Sequence, residues 1–453
     1  MQARGADQQD WPKPTYAWYA LAMISIGYIF AFIDRIVIGI LTPDIIKSLH
    51  LTDTEMGLLQ GIAFALFYTV CGIPLGWLAD RWNRQRILSV GMTVWSVMTA
   101  ACGLPTTFWP LFAARVGVGV GEATLSPCAS SLIADWFPPE KRAKAFGFYT
   151  MATALAAIIS YLMASLLLAW LGRYPVIDLP LFGERQPWQV VFIVLGVLGL
   201  VPTALFAFTV REPVRRGIAT AAQTVAAGTS AFLRTNRVTL ICLMVGASLI
   251  LLEVYATVQW VPTYFLRTFG WSPAKTGLYL ALLQSPCGVI GAFASGYIVN
   301  WMKSRGVKDA AWVLVLIGAV GCTIFGGLAP LMPISALAIG LFMLKALVTN
   351  FAPVGALTAL AEITPNQHRG FVVSLYVILT GLFAQGMGPL MVGVITDSVF
   401  HDPKAIGKSL AILVFGTGVV GVGLLVWGRA AHGRSLAAVS WETAGEPKAL
   451  SAH

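Results

Sequence analysis

Twelve apolar runs, each close to the length that crosses a bilayer, dominate this chain of 453 residues. A membrane-crossing helix takes about 20 mainly apolar residues. By that measure the runs lie near 16–41, 56–79, 87–106, 109–135, 143–171, 188–210, 237–266, 273–300, 310–329, 333–361, 369–397 and 407–428. They are continuous rather than alternating, so they read as helices and not as strands of a membrane barrel, whose lumen face would be polar. Composition leaves few other choices. Hydrophobic residues make up 57% and charged residues 11%, with a mean hydropathy of +0.77. Soluble domains carry about 25% charged residues, and so few charges cannot keep this much apolar surface in water. The expected class is an all-α polytopic membrane protein, which excludes soluble enzymes, nucleic-acid binders and disordered chains.

The net charge of +10 reads as topology. Of the 30 Lys and Arg, 20 fall in segments on the side of the N-terminus, 7 fall on the opposite side, and Arg35, Arg115 and Lys345 lie inside the runs. Basic residues collect on the cytoplasmic side of membrane proteins, so both ends are expected there. The short outer loops and tails point to the inner membrane of a bacterial cell, with the membrane of a eukaryotic organelle as the alternative. The opening MQARGADQQDWPKP is polar and the run after it is too long for a signal peptide.

No cofactor is expected. Six cysteines lie in apolar runs without C-x-x-C spacing, which argues against a disulfide framework or a zinc site. His50, His368, His401, His432 and His453 fall in loops or the tail, so neither a metal site nor a His proton relay is favoured. Gly117, Gly119 and Gly121 are spaced like part of a nucleotide loop but lie in an apolar helix, where small residues serve close helix packing. Gly407-Lys408-Ser409 ends like a phosphate loop, yet Asp402 stands where the first glycine is needed.

A polar stretch divides the runs six and six. The expected organisation is a bundle over 1–211, a linker over 212–236, a second bundle over 237–430 and a tail over 431–453. The halves echo each other. Gly76-Trp-Leu-Ala-Asp80-Arg-Trp-Asn-Arg84 follows the second run, and Gly296-Tyr-Ile-Val-Asn300-Trp-Met-Lys303 follows the eighth, at an offset of 220. Pro139-Glu-Lys-Arg142 before the fifth run matches Pro365-Asn-Gln-His368 before the eleventh, at an offset of 226. Such repeats build transporters from two bundles that rock about a central site.

The segment GWLADRWNRQR at 76–86 resembles the signature loop of the major facilitator superfamily, with Asn83 in place of the usual glycine and Gln85 in place of the second basic residue. Asn tolerates left-handed backbone, so the turn is expected to survive. The resemblance implies the major facilitator fold, twelve transmembrane helices in two pseudo-symmetric six-helix bundles. It also implies a cytoplasmic gate built from Gly76, Asp80, Arg81, Arg84, Arg86, Glu140 and Arg142. Ile33-Asp34-Arg35, the run Arg115-Val-Gly-Val-Gly-Val-Gly-Glu122, and Ser131-Leu-Ile-Ala-Asp135-Trp-Phe resemble the Spinster branch, whose members export lysophospholipids and sphingosine phosphate.

Ionisable residues at bilayer depth are costly and mark pathways. They occur here as Asp34 and Arg35 in span 1, Arg115 and Glu122 in span 4, Glu253 in span 7 and Lys345 in span 10. Family geometry puts spans 1, 4, 7 and 10 around the central cavity. At 1.5 Å per residue Asp34 and Arg115 stand level, while Glu122 lies about 10 Å deeper on nearly the same face as Arg115. Asp34 and Glu122 are the expected proton-coupling groups, because burial disfavours the charged form and a nearby Arg favours it. Arg35 and Arg115 are expected to hold these carboxylates or to bind an anionic headgroup. Glu253 and Lys345 are expected to pair with each other or to contact substrate. Phe32, Phe64, Phe67, Tyr68, Tyr255 and Trp260 are candidate cavity linings.

The expected function is secondary transport by alternating access in a monomer, coupled to protons, with a lysophospholipid or sphingolipid as cargo. The alternative is proton-coupled transport of small organic anions. No nucleophile–base pair or metal-ligand set appears in the spans, so no enzyme is expected.

Overall fold

The computed structural model describes residues 11–180, 182–215 and 225–444. The middle of the expected linker, the end of the tail, and with them Arg4, Arg216, Lys448 and His453, lie outside the described residues.

Ten helical segments among these are long and apolar enough to cross a membrane. They are span 1 (Pro14–Leu49), span 2 (Asp53–Arg81), span 5 (Pro139–Leu171), span 6 (Pro187–Thr209), span 7 (Arg237–Phe269), span 8 (Pro273–Ser304), span 9 (Ala310–Leu331), span 10 (Ser335–Ile363), span 11 (His368–Phe400) and span 12 (Ile406–Ala444). Two more complete the twelve. Span 3 is the shorter Arg84–Ala101, and span 4 is split into Phe108–Glu122 and Leu125–Trp136. The protein is an all-α polytopic membrane protein, and large apolar side chains such as Phe208 (88% exposed), Tyr297 (74%) and Trp427 (68%) face outward, as lipid requires.

Helix ends follow local chemistry. Thr52 and Glu55 form a reciprocal capping box at the start of span 2. Spans 1, 5 and 6 begin with proline, which needs no amide partner there. Span 7 stops where Gly270 takes a φ of 64°, a conformation that glycine adopts without a Cβ clash. Several boundaries differ from the hydropathy reading. Span 1 runs on through Pro43 to Leu49, and span 12 continues to Ala444 through good helix formers beyond the apolar stretch. The loop between spans 5 and 6 holds a small antiparallel hairpin, Ile177–Leu179 with Gly183–Arg185.

Two histidines assigned to loops or the tail lie in helices instead. His368 is in the first turn of the Asn366–Leu379 helix of span 11 and is buried. His432 is fully buried in span 12 and stacks on Trp312 at 4.7 Å. Asn83 also differs from expectation. Its backbone is extended, with φ −65° and ψ 109°, and its side chain accepts the amide of Arg86 at 2.8 Å. It caps span 3 rather than forming a left-handed turn.

The chain forms two compact units. The first comprises Met1–Leu51, Ala63–Ala219 and Pro273–Ala281; the second comprises Thr52–Ile62, Thr220–Ser272 and Leu282–His453. Each contains a short piece drawn from the other half of the sequence. In the first, the Pro273–Ala281 piece packs on span 5, where a Cβ at Gly277 would lie 2.9 Å from the Tyr161 carbonyl. In the second, the start of span 2 lies backbone to backbone on span 11, where a Cβ at Gly57 would lie 2.8 Å from the Pro389 carbonyl. Small residues permit this closeness between membrane helices.

The repeat is visible in the helix interruptions. Span 2 breaks at Gly61 and span 8 at the π-turn Leu280–Gln284. Span 4 breaks at Ala123–Thr124 and span 10 at Asn350. These positions keep the offsets of about 220 and 226 found in the motifs. Such irregularities mark functional places in membrane helices.

Gly117, Gly119 and Gly121 are packing glycines. A Cβ at each would meet Met98 Cγ at 2.6 Å, the Phe64 carbonyl at 2.7 Å and the Trp95 amide nitrogen at 2.7 Å, respectively. Gly121→Leu is therefore expected to destabilise the first unit by about 1–3 kcal/mol through overpacking. Gly340→Ala, with open space around it, should leave stability unchanged or raise it. Thermal unfolding in detergent checks both, and an unshifted midpoint for Gly121→Leu would contradict the packing.

Candidate functional site

In the first unit Asp34 and Arg35 of span 1 form two crossed ion pairs with Arg115 and Glu122 of span 4. Arg115 Nη1 donates to Asp34 Oδ2 at 2.5 Å, and Thr99 of span 3 donates to Asp34 Oδ1 at 3.0 Å. Arg35 donates to Glu122 Oε2 through Nη2 at 2.5 Å and through Nε at 2.7 Å. Adjacent residues point about 100° apart on a helix, so Asp34 and Arg35 reach different partners on span 4. Glu122 is the last residue before the break in span 4.

Exposure separates the four groups. Asp34, Arg115 and Glu122 are buried, while the Arg35 side chain is 18% exposed. Glu122 uses one oxygen for both Arg35 contacts, and no protein group donates to Oε1 among the described residues. The Arg35 guanidinium lies over Phe64 at 4.5 Å, Tyr68 at 4.9 Å and Phe32 at 5.3 Å. Tyr28 packs on Phe32 at 5.1 Å and on Tyr149 at 5.0 Å, extending this aromatic surround. Cation–π attraction and the ion pair together fix the guanidinium plane. Of the other suggested linings, Trp260 is fully buried and donates to the Pro389 carbonyl at 2.8 Å within the second unit.

The second unit does not form the ion pair expected of Glu253 and Lys345. The Lys345 ammonium donates to the main-chain carbonyl of Glu253 at 3.3 Å and to the Thr257 hydroxyl. Among the described residues, neither carboxylate oxygen of Glu253 has a hydrogen-bond partner. Both residues are almost fully buried, so neither presents a surface to a substrate here.

At the basic ends of the helices Arg84 is the organising residue of the signature loop. It is buried, with Nη1 donating to Asp135 at 2.5 Å and Ser131 at 2.6 Å, and Nε donating to Glu212 at 2.6 Å. Glu212 also accepts the Gln85 amide at 2.8 Å. Arg215 donates to the carbonyls of Ala79, Asp80 and Trp82, which satisfies the end of span 2. Arg81 stacks on Trp77 at 4.0 Å, and Arg142 donates to the Phe137 carbonyl at 3.0 Å. Asp80, Arg86 and Glu140 are exposed, while Gly76 has Pro127 Cβ at 3.9 Å from where a Cβ would stand. The second unit holds a counterpart, Lys303 with Glu362 at 2.6 Å.

Sequence reading missed Asp135 and Glu212 as partners of Arg84, and it missed a clasp at the other end of span 2. There Arg267 donates to Asp53 at 2.7 and 2.8 Å, and Asp397 accepts the Thr54 amide at 2.7 Å and its hydroxyl at 2.6 Å. Asp309, at the residue before span 9, accepts Arg429 at 2.6 Å, which holds its carboxyl below the usual carboxylate range. That contribution to stability is present at neutral pH and is lost as the pH falls through the acid range.

Removing one partner of a buried ion pair leaves the other charged and unpaired, at a cost of about 3–5 kcal/mol. Arg115→Ala is therefore expected to lower the unfolding midpoint sharply. Asp34→Asn in that background should recover much of the loss, a coupling measured by a double-mutant cycle in detergent. Additive losses would mean that the pair contributes nothing specific.

The family model described as Major Facilitator Superfamily matches residues 24–389. An MFS-type efflux pump of Mycolicibacterium smegmatis (strain ATCC 700084 / mc(2)155) is 26% identical over 430 residues, covering 92% of this chain and 93% of that protein. A probable L-galactonate transporter of Escherichia coli (strain K12) is 26% identical over 64% of this chain and 62% of that protein. Among solved structures, a bacterial homologue of the human lysosomal transporter Spinster, captured inward-facing and unoccupied, superposes with a TM-score of 0.75. Its identity is 24%, over 94% of this chain and 98% of that chain. With a duplicated loop motif and ionisable residues at equivalent sequence positions in each half, this chain belongs to the Major Facilitator Superfamily of membrane transporters.

Proposed function

We propose that this transporter is proton-coupled and of the Spinster type, moving an amphipathic organic anion such as a lysophospholipid or sphingolipid by alternating access. One observation carries the reading: Arg35, the partly exposed member of the charge cluster, is restrained by Glu122 through a single carboxylate oxygen. A proton on Glu122 cancels the charge that restrains Arg35. The guanidinium then offers its fork to a phosphate or carboxylate of the substrate. Conversely, an anion bound to Arg35 leaves Glu122 buried without its counter-charge, which favours proton uptake. Anion binding and protonation are thereby linked through one residue pair.

Asp34 is the second proton-coupling group in this reading, with both oxygens occupied by Arg115 and Thr99. Its pair with Arg115 holds spans 1 and 4 in register while the Arg35–Glu122 pair opens. The aromatic surround of Phe32, Phe64 and Tyr68 supports a cargo with an apolar portion beside its charge. We assign Gly76, Asp80, Arg81, Arg84, Arg86, Glu140 and Arg142 to a cytoplasmic gate anchored by Arg84. In this reading the protein works as a monomer in a bacterial inner membrane, with both termini in the cytoplasm.

A second reading, transport of a small sugar acid, is favoured by the likeness to the L-galactonate transporter. The same arginine would bind its carboxylate.

The test is uptake into proteoliposomes of a fluorescent lysophospholipid and of galactonate, with and without a pH gradient. Lysophospholipid flux driven by the gradient is expected. Glu122→Gln should reduce that dependence by about tenfold or more, an effect of about 1.4 kcal/mol. Arg35→Lys, which keeps charge but loses the fork, should raise KM more than it lowers kcat. Galactonate flux alone selects the second reading. Full gradient-driven transport by Glu122→Gln and by Asp34→Asn would overturn the coupling assignment.

A further inference from the structure

The two halves treat an equivalent acid differently. Glu253 on span 7 follows Asp34 on span 1 by 219 residues, beside the 220 that separates the two signature loops. Asp34 has a guanidinium on one oxygen and a hydroxyl on the other. Glu253 is 0% exposed, and neither of its carboxylate oxygens has a donor among the described residues.

Its neighbour Lys345 on span 10 is held just short of it. The ammonium donates to the Glu253 carbonyl at 3.3 Å and to the Thr257 hydroxyl, and that hydroxyl donates onward to the same carbonyl at 2.5 Å. Gly326 on span 9 makes the niche for this side chain, since a Cβ there would lie 2.9 Å from Lys345 Cδ. Among the described residues, the titratable groups facing Glu253 are Lys345 and the thiol of Cys322 on span 9. The lysine is thus tied to the backbone of the very residue whose carboxyl it leaves alone.

An ionised carboxylate buried without a donor is strongly unfavourable, whereas the neutral acid is tolerated. We propose that Glu253 is a further proton-binding site, in the second unit, neutral in the conformation seen here, with Lys345 as a counter-ion held ready for its ionised form. When the carboxyl proton leaves to water, rotation of the Glu253 side chain brings the carboxylate onto the ammonium. The pair then passes from one net positive charge to none. Proton uptake from water reverses the step and returns the ammonium to the carbonyl and Thr257. The contact between spans 7 and 10 therefore changes with protonation. This inference rests on the second unit alone and is independent of the reading of Arg35 and Glu122.

Infrared difference spectroscopy of the whole protein in lipid vesicles tests it. At neutral pH the wild type should show the carbonyl stretch of a protonated carboxyl that Glu253→Gln removes and Glu122→Gln leaves in place. Glutamine is isosteric with the neutral acid, so the variant should fold, and failure to fold would count against the proposal. Lys345→Met should keep its unfolding midpoint and extend the protonated band to higher pH. The proposal is overturned if Glu253→Gln removes only carboxylate bands, or if Lys345→Met lowers the midpoint by many degrees, as stranding an ionised Glu253 would.

Discussion

A charge buried in a helix bundle must have a partner, and the arrangement of the first unit follows from that constraint. Spans 1 and 4 carry two acids and two arginines at bilayer depth, and the structure resolves them into two pairs that cross between the helices. The pairs are not equivalent. Asp34 is saturated by Arg115 and Thr99, so this pair behaves as a joint. Glu122 is held through one oxygen by an arginine that is partly exposed and framed by aromatic rings, so this pair behaves as a contact that something else can replace. The break in span 4 directly after Glu122 places the replaceable pair where the helix is least regular.

The second unit reuses the layout with different chemistry. A lysine stands where span 4 has its carboxylate, at an offset of 223 from Glu122. Unlike the arginine fork, its ammonium is a compact point charge, and it is satisfied by a carbonyl and a hydroxyl without engaging the acid beside it. Duplication has preserved the positions at which charge is placed, while the pairing at those positions has diverged.

Much of this was legible in the sequence because bilayer thickness fixes span length. Hydropathy placed the ten segments long and apolar enough to cross a membrane, together with the shorter span 3 and the split span 4. The ends of spans 1 and 12 were less legible, since a helix continues as long as its residues favour one and does not stop where the membrane does. Level depths along a helix brought Asp34 and Arg115 together on paper. The Arg35–Glu122 pair required knowing how far span 1 is rotated, and no periodicity in so apolar a helix reports that. Span 2 was read from about 56, and the Thr52–Glu55 capping box that starts it at Asp53 went unread. The Asp397 contact to Thr54, across 343 residues, had no local signal. Asp135 and Glu212 converge on Arg84 from the ends of two other helices, so their role emerges only with the fold.

In the proposed cycle, an anion binding at Arg35 brings a proton from solution onto Glu122. Calorimetric titration of a lysophospholipid into the purified protein, repeated in buffers of different ionisation enthalpy, measures that transfer directly. Proton uptake on binding is expected in the wild type and none in Glu122→Gln. Binding without proton uptake, or uptake unchanged by the substitution, would contradict it.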